Sequence, residues 1–144
     1  MATGQSIHET SIREHSVLVI GSGMAGMTAA IEAAEAGHDV YIIEKEAHLG
    51  GRVAGFYKYF PKLCPPACGL EINFRRIKNG HRHIKFFTLA EVESVSGRPG
   101  NFNVTIKQKP RYVLLDRCTA CAKCVDVCPE SRPNDFNYGM DTTK

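Results

Sequence analysis

Val17-Leu18-Val19-Ile20 runs directly into Gly21-Ser22-Gly23-Met24-Ala25-Gly26, and no other stretch of the chain restricts the fold as strongly. A short aliphatic run ending at glycine is the pattern of a buried strand in a parallel sheet. From Met24 to Ala36 the sequence becomes alanine-rich, with Met27, Ile31 and Ala34 at helical spacing, and Gly37 supplies a C-terminal stop. Val40-Tyr41-Ile42-Ile43 repeats the buried-strand pattern. Strand, helix and strand in this order form a βαβ unit, whose crossover is right-handed and whose strands lie side by side and parallel. The expected class is therefore α/β.

The junction between the first strand and the helix reads G-x-G-x-x-G. A glycine-rich turn that binds nothing would also satisfy that pattern. Its context points further, because a strand precedes it, a helix follows it, and Glu44 ends the next strand 18 residues after Gly26. This is the dinucleotide-binding fingerprint of Rossmann-like folds. Gly21 permits the tight turn, Gly23 lets amides reach a pyrophosphate with no Cβ in the way, and Gly26 lets helix and sheet pack closely. The helix start offers unpaired N–H donors and a partial positive charge. Gly21, Ser22, Gly23, Met24, Ala25 and Gly26 are thus candidates for the diphosphate and Glu44 for the ribose, and Lys45 joins the cofactor-binding set. As an acceptor, Glu44 would bind ribose hydroxyls and repel a 2′-phosphate. A second glycine pair, Gly50-Gly51-Arg52, follows Glu44 after five residues. Here the sequence resembles the two-dinucleotide-binding-domain flavoproteins, in which such a pair lets the chain pass close to the FAD diphosphate. The resemblance favours FAD over NAD and adds Gly50, Gly51 and Arg52 to the cofactor-binding set.

Beyond Gly51 the pattern loosens into an aromatic and proline-rich stretch from Phe56 to Cys68, where Pro65-Pro66 bars a helix through Cys64 and Cys68. Leu70, Phe74 and Ile77 fall on one face of a short helix that Asn79-Gly80 ends. Ile84 to Phe87 reads as a further strand. Val92 and Val95 mark another, and after the turn Gly97 to Asn101, Phe102, Val104 and Ile106 alternate with polar residues, so a β-meander is expected. The last fifteen residues are polar and without periodicity.

Cys118, Cys121, Cys124 and Cys128, followed by Pro129, spell C-x2-C-x2-C-x3-C-P, the bacterial ferredoxin ligand run. The short steps bring three thiolates to three corners of a 4Fe-4S cubane, whereas the fourth ligates the other cluster in two-cluster ferredoxins. Zinc would call for two C-x2-C pairs separated by a longer loop. A 4Fe-4S cluster is expected at these four cysteines, its fourth ligand being Cys128, another cysteine or a residue from outside the chain. Cys64 and Cys68, spaced C-x3-C, have three open readings: inert buried thiols, cluster or metal ligands, and a redox dithiol near the flavin.

Six cysteines without a secretory leader argue for metal or redox chemistry over structural disulfides, because cytosolic thiols are kept reduced. Residues 1–15 carry charges and no apolar core and read as a flexible leader. The longest uncharged apolar stretch, Ser16 to Ile31, is broken by glycines and too short for a bilayer span. A cytoplasmic chain is expected, organised as leader (1–15), N-terminal part of an FAD-binding domain (16–115), and ferredoxin-like 4Fe-4S segment with tail (116–144). The formal charge of +3 owes most to Arg75, Arg76, Lys78, Arg82 and Lys85. Without a nucleic-acid motif this run is a solvated face or a surface for an acidic partner, not an RNA or DNA site. His38, His48, His81 and His83 read as surface or structural residues, and no Ser-His-Asp or paired-carboxylate constellation is present.

The order of flavin turn, Cys64-Pro65-Pro66-Ala67-Cys68 loop and ferredoxin run resembles the flavin subunit of heterodisulfide reductases (HdrA), and most nearly its relative in the quinone-interacting membrane-bound oxidoreductase complex of sulfate reducers (QmoA). Val17 to Gly26, Glu44 to Arg52, Tyr59 to Arg76, Lys109 to Val113, the cysteine run and Pro133 to Gly139 carry the likeness. The resemblance implies bound FAD, partner subunits with flavin and iron-sulfur groups, indirect membrane association through a partner at the cytoplasmic face, and electron passage between quinone and adenylylsulfate reductase. Chains of this family are several times longer, so an N-terminal fragment, a split gene product or a truncated relative is expected, holding the adenosine diphosphate end of FAD. Heterodisulfide reductase chains of this type usually show C-x2-C where this sequence has Cys64 and Cys68.

A flavin takes electrons in pairs and a cluster singly, so the expected function is a two-to-one electron converter with catalysis belonging to the cofactors. Two other readings compete. One is a non-catalytic relay or assembly module that docks through Phe56, Tyr57, Tyr59, Phe60 and the basic run. The other is a thiol-disulfide reductase using Cys64 and Cys68.

Overall fold

The computed structural model describes residues 16–80 and 82–144. The expected leader over residues 1–15, and His81, lie outside them. One compact unit ends at Pro110 and a second spans Arg111–Lys144.

In the first unit, β1 (Val17–Ile20), α1 (Met24–Glu35) and β2 (Val40–Ile43) form the expected βαβ unit. β1 and β2 are parallel, from Val17 opposite Val40 to Ile20 opposite Ile43. α2 (Gly51–Ala54) and α3 (Ala67–Asn79) fill the next connection, and β3 (Ile84–Phe87) returns parallel to β2 with Ile84 opposite Val40. The sheet order is β1-β2-β3. Only the central strand is buried at all four positions, which explains its unbroken apolar sequence. The sequence predicts a buried β1 too, yet that strand alternates: Val17 and Val19 face the helices, while Leu18 and Ile20 are exposed on the opposite face.

The core joins one face of the sheet to two helices. Met27, Ala30, Ile31 and Ala34 of α1 pack with Val40, Ile42, Ile84 and with Leu70 and Ile77 of α3. Arg76 of α3 fastens the same pair of helices at their surface, its guanidinium bonding Glu32 at 2.9 Å and Glu35 at 2.7 Å. Arg75 pairs with Glu71 at 2.6 Å. Two cations of the basic run are thus neutralised within the fold.

α1 stops as the sequence requires. Gly37 has φ of 95°, its amide donates to the Ala34 carbonyl, and the His38 amide donates to that of Ala33. These paired bonds are a Schellman motif, which needs a left-handed residue after the cap.

No helix runs through both Cys64 and Cys68, as the proline pair requires: Pro66 is the N-cap of α3, which starts after Cys64 and holds Cys68 in its first turn; proline is tolerated at a helix start, where its missing N–H has no partner to lose. Two expectations need correction. Phe74 is exposed, because the covered stripe of α3 runs through Pro66, Leu70, Asn73 and Ile77 and leaves Phe74 on its flank. The β-meander is instead a two-stranded antiparallel hairpin, β4 (Ala90–Arg98) with β5 (Asn101–Gln108), since the strand at Ile84 joins the parallel sheet. Its turn holds Pro99 and Gly100, the latter at φ 85°, and a register shift falls between Val92 and Ser94.

The second unit contains α4 (Lys123–Asp126), and a small antiparallel pair, β6 (Arg132–Pro133) and β7 (Thr142–Thr143), where no periodicity is visible in the sequence. The pair exists because Asn134 and Asn137 turn the chain. Their side-chain oxygens accept from the Phe136 and Met140 amides at 3.0 and 3.1 Å.

Ile31 is 1% exposed at the meeting of α1, α3 and the sheet. Ile31→Ala should lower stability by about 2–5 kcal/mol, read from denaturant unfolding.

Candidate functional site

The turn between β1 and α1 is built around an open space. An added Cβ at Gly21 or Gly23 would meet no atom within 4 Å, whereas one at Gly26 would collide with the Gly21 carbonyl oxygen. Gly21 also sits at φ 91°, which only glycine adopts without strain. The three glycines therefore play different parts. Gly21 serves the turn, Gly26 the packing, and Gly23 keeps the space above the helix start clear. No side chain caps α1, and its first bond from the turn is Met27 N–H to the Gly23 carbonyl at 2.9 Å. The amides of Met24, Ala25 and Gly26 precede that bond, the position at a helix start where N–H groups have no partner within the helix and can serve an anion.

Glu44 lies just past β2 and comes back to the turn. Its Oε2 accepts from the Ser22 amide at 2.7 Å and the Ser22 hydroxyl at 2.5 Å, and its Oε1 accepts from the Glu46 amide at 2.9 Å. A carboxylate has about four acceptor positions, and among the described residues these three donors take three of them. The Glu44 backbone is fixed on both sides, its N–H donating to Phe87 and its carbonyl accepting from Ala90. Burial pushes the Glu44 carboxyl toward higher pKa, but the Glu46 amide, the hydroxyl and amide of Ser22 and the nearby His48 charge outweigh it and hold the group below the ordinary carboxyl range.

The second glycine pair meets the first. Gly50 N–H donates to the Ser22 carbonyl at 2.9 Å, and a Cβ on Gly51 would stand 3.0 Å from the Gly23 Cα. Gly50 and Gly51 have φ of 108° and 55°. The pair lets two backbones touch beside the open space. Of the candidates from sequence, Gly21 to Gly26, Glu44, Gly50 and Gly51 are thus gathered in one place. Ser22 stands apart from its neighbours, since its side chain and amide turn inward to Glu44. Lys45 is exposed and lies 3.9 Å from Glu46, and Arg52 is an exposed residue of α2. The Glu46 amide is a site group that the sequence gives no means of finding.

In the second unit, Cys118, Cys121 and Cys124 are exposed and Cys128 is half-buried. Ala120 and Ala122 flank Cys121 in the left-handed region at φ 53° and 60°. The Lys123 amide and the Thr119 hydroxyl donate to the Cys121 sulfur and lower its pKa, which favours the thiolate that iron requires. Cys128 Sγ lies 3.8 Å from the Glu130 carbonyl. Among the described residues no three Cys, His, Asp or Glu side chains converge as a metal site, so the fit to iron rests on donor chemistry: four thiols in a ligand run. Cys64 is half-buried, paired in a bridge with Tyr59, and Cys68 is exposed on α3.

Residues 16–63 match the FAD dependent oxidoreductase family and residues 111–131 the 4Fe-4S binding domain. Among solved structures, L-proline dehydrogenase from P. horikoshii superposes with a TM-score of 0.51 at 23% identity, over 69% of this chain and 20% of that one. The fold is that of FAD-dependent oxidoreductases, with a 4Fe-4S segment attached, and the cofactors are FAD and a 4Fe-4S cluster. A CoB–CoM heterodisulfide reductase iron-sulfur subunit of the HdrA type from Methanopyrus kandleri is 44% identical over 133 residues, 91% of this chain and 19% of the relative. Its counterpart in Methanocaldococcus jannaschii is 42% identical over 133 residues, 91% of this chain and 20% of the relative. Over nine-tenths of its length the chain is HdrA-like, and it spans about a fifth of the length of these curated relatives.

Gly23 has φ of −63°, which any residue adopts, so Gly23→Ala should leave the melting temperature unchanged while weakening FAD and ADP binding in titration calorimetry. Gly26→Ala should instead lower the melting temperature. A carboxyl depressed in the folded state lends stability that is present above its unfolded pKa and lost as pH falls through the folded one. Urea midpoints of the wild type should therefore drop below the ordinary carboxyl range, and Glu44→Gln should give a lower midpoint at neutral pH with a shallower acid decline.

Proposed function

We propose that the chain is the dinucleotide-binding and iron-sulfur portion of an electron-transferring oxidoreductase subunit of the HdrA type. Gly21, Gly23, Met24, Ala25, Gly26, Gly50, Gly51 and Arg52 surround the FAD diphosphate, Glu44 takes the adenosine ribose with Lys45 alongside, and Cys118, Cys121, Cys124 and Cys128 hold the cluster. The observation that carries this reading is the buried contact between Glu44 and Ser22, which stations a charged acceptor beside an uncapped helix start and open space.

When bound, FAD and the cluster together supply conversion between paired and single electrons. The protein's own part is binding and electrostatics. The amides opening α1 and the helix dipole favour the diphosphate charge. Glu44, kept ionised by its donors, accepts from a ribose hydroxyl and disfavours an added phosphate on that sugar. In the second unit the amide and hydroxyl donated to Cys121 stabilise the thiolate and tune the potential of what it ligates.

The relatives' names describe subunits of heterodisulfide reductases, and partner subunits carrying flavin and iron-sulfur groups are part of the proposal. The finer reading is the branch linked to quinone and adenylylsulfate reductase, and it rests on the resemblance carried by Val17 to Gly26, Glu44 to Arg52, Tyr59 to Arg76, Lys109 to Val113, the cysteine run and Pro133 to Gly139. No described helix is long and apolar enough to cross a membrane. Membrane association is proposed to run through a partner on the cytoplasmic face.

Anaerobic purification with iron, sulfide and flavin quantified tests the assignment. Four iron per chain and one FAD are expected, as the matched cofactor domains require. Cys121→Ser should lose iron and keep the flavin. Zinc in place of iron would overturn the cluster assignment, and a preparation that cannot be loaded with FAD would overturn the flavin site.

A further inference from the structure

Ser22 is 0% exposed, yet it occupies a variable position of the glycine motif, where a hydroxyl has no general role. A buried hydroxyl costs free energy unless it is bonded. Here its proton goes to a carboxylate, a short charge-assisted bond at 2.5 Å, and its amide goes to the same oxygen at 2.7 Å. Its carbonyl accepts from Gly50 at 2.9 Å. One residue thereby ties the first glycine turn, the acid at the tip of β2 and the second glycine pair.

We propose that Ser22 is the positioning residue for ribose recognition: its hydroxyl and amide hold the Glu44 carboxylate in one rotamer, so that its other oxygen faces the sugar. This rests on the FAD-binding reading above. The Glu44 side chain has three rotatable bonds, and one oxygen carries both Ser22 donors. Without the hydroxyl, that oxygen keeps a single backbone donor and burial acts against the charge with less opposition. The carboxyl then protonates at higher pH and samples other rotamers. Ser22 touches no reacting atom in this scheme. It acts through Glu44, and its effect is confined to ligands that carry ribose hydroxyls.

The test compares binding of FAD, ADP and 2′,3′-dideoxy-ADP to the wild-type chain, Ser22→Ala and Ser22→Cys across a pH series. A Glu44 carboxylate out of place costs the nucleotide the charge-assisted hydrogen bond from its ribose, which corresponds to roughly a tenfold or greater loss of affinity. Ser22→Ala should bind FAD and ADP about that much more weakly, while binding dideoxy-ADP as the wild type does, so that discrimination between the two nucleotides collapses. The acid limb of its ADP affinity should also move to higher pH. Ser22→Cys keeps the packing with a weak donor and should fall between the two, which preserves the test if the alanine variant does not fold. A general loss for all three ligands, or a variant that discriminates and titrates as the wild type does, would overturn the proposal. Wild-type protein that binds neither FAD nor ADP would instead overturn the underlying flavin reading, and this inference with it.

Discussion

The carboxylate of Glu44, buried against the first glycine turn, is the interaction on which the dinucleotide end of the molecule depends. An ionised group held nearly out of water is costly unless its acceptor positions are filled. Three donors do this here, and they come from segments that the chain places 22 and two residues away. The same bonds that make the charge tolerable therefore join β1, β2 and the loop after β2. Stability and the proposed ligand recognition thus fall on one group.

Around that contact the structure is a matter of close approach. Helix α1 can lie on the sheet because Gly26 brings no Cβ to the Gly21 carbonyl, and the loop after β2 can touch the turn because Gly51 brings none to Gly23. Larger residues would force these backbones apart. The sheet itself is asymmetric. α1 and α3 cover one face, and their union is made by small and branched side chains within and by Arg76 with two glutamates without.

Much of this arrangement was legible in the chain. The strands Val17–Ile20 and Val40–Ile43 coincide with apolar runs, and Ile84–Phe87 is apolar but for the exposed Lys85, since the face of a parallel strand turned to the helices admits few polar residues. The end of α1 was legible because a left-handed cap residue is nearly a chemical requirement for glycine. The reach of α3 back to Ala67 was not, because a proline pair marks a helix start as readily as a helix break. The fate of Ile84 to Phe87 was also ambiguous. A short apolar strand carries no label for parallel or antiparallel pairing, and only the presence of β2 with a free edge assigned it.

The amino-acid sequence alone determined the βαβ unit, the glycine positions, the acid at the strand tip and the thiol spacing of the iron-binding run, because each follows from local stereochemistry or from ligand count. Tertiary structure decided what those residues do to one another. That the variable serine of the motif turns inward to the acid, that the second glycine pair lands on the first, and that Arg76 is spent on α1 instead of a partner all depend on distances between segments far apart in the chain. Spacing along a sequence fixes which groups are available; the packing of helices on a sheet fixes which of them meet.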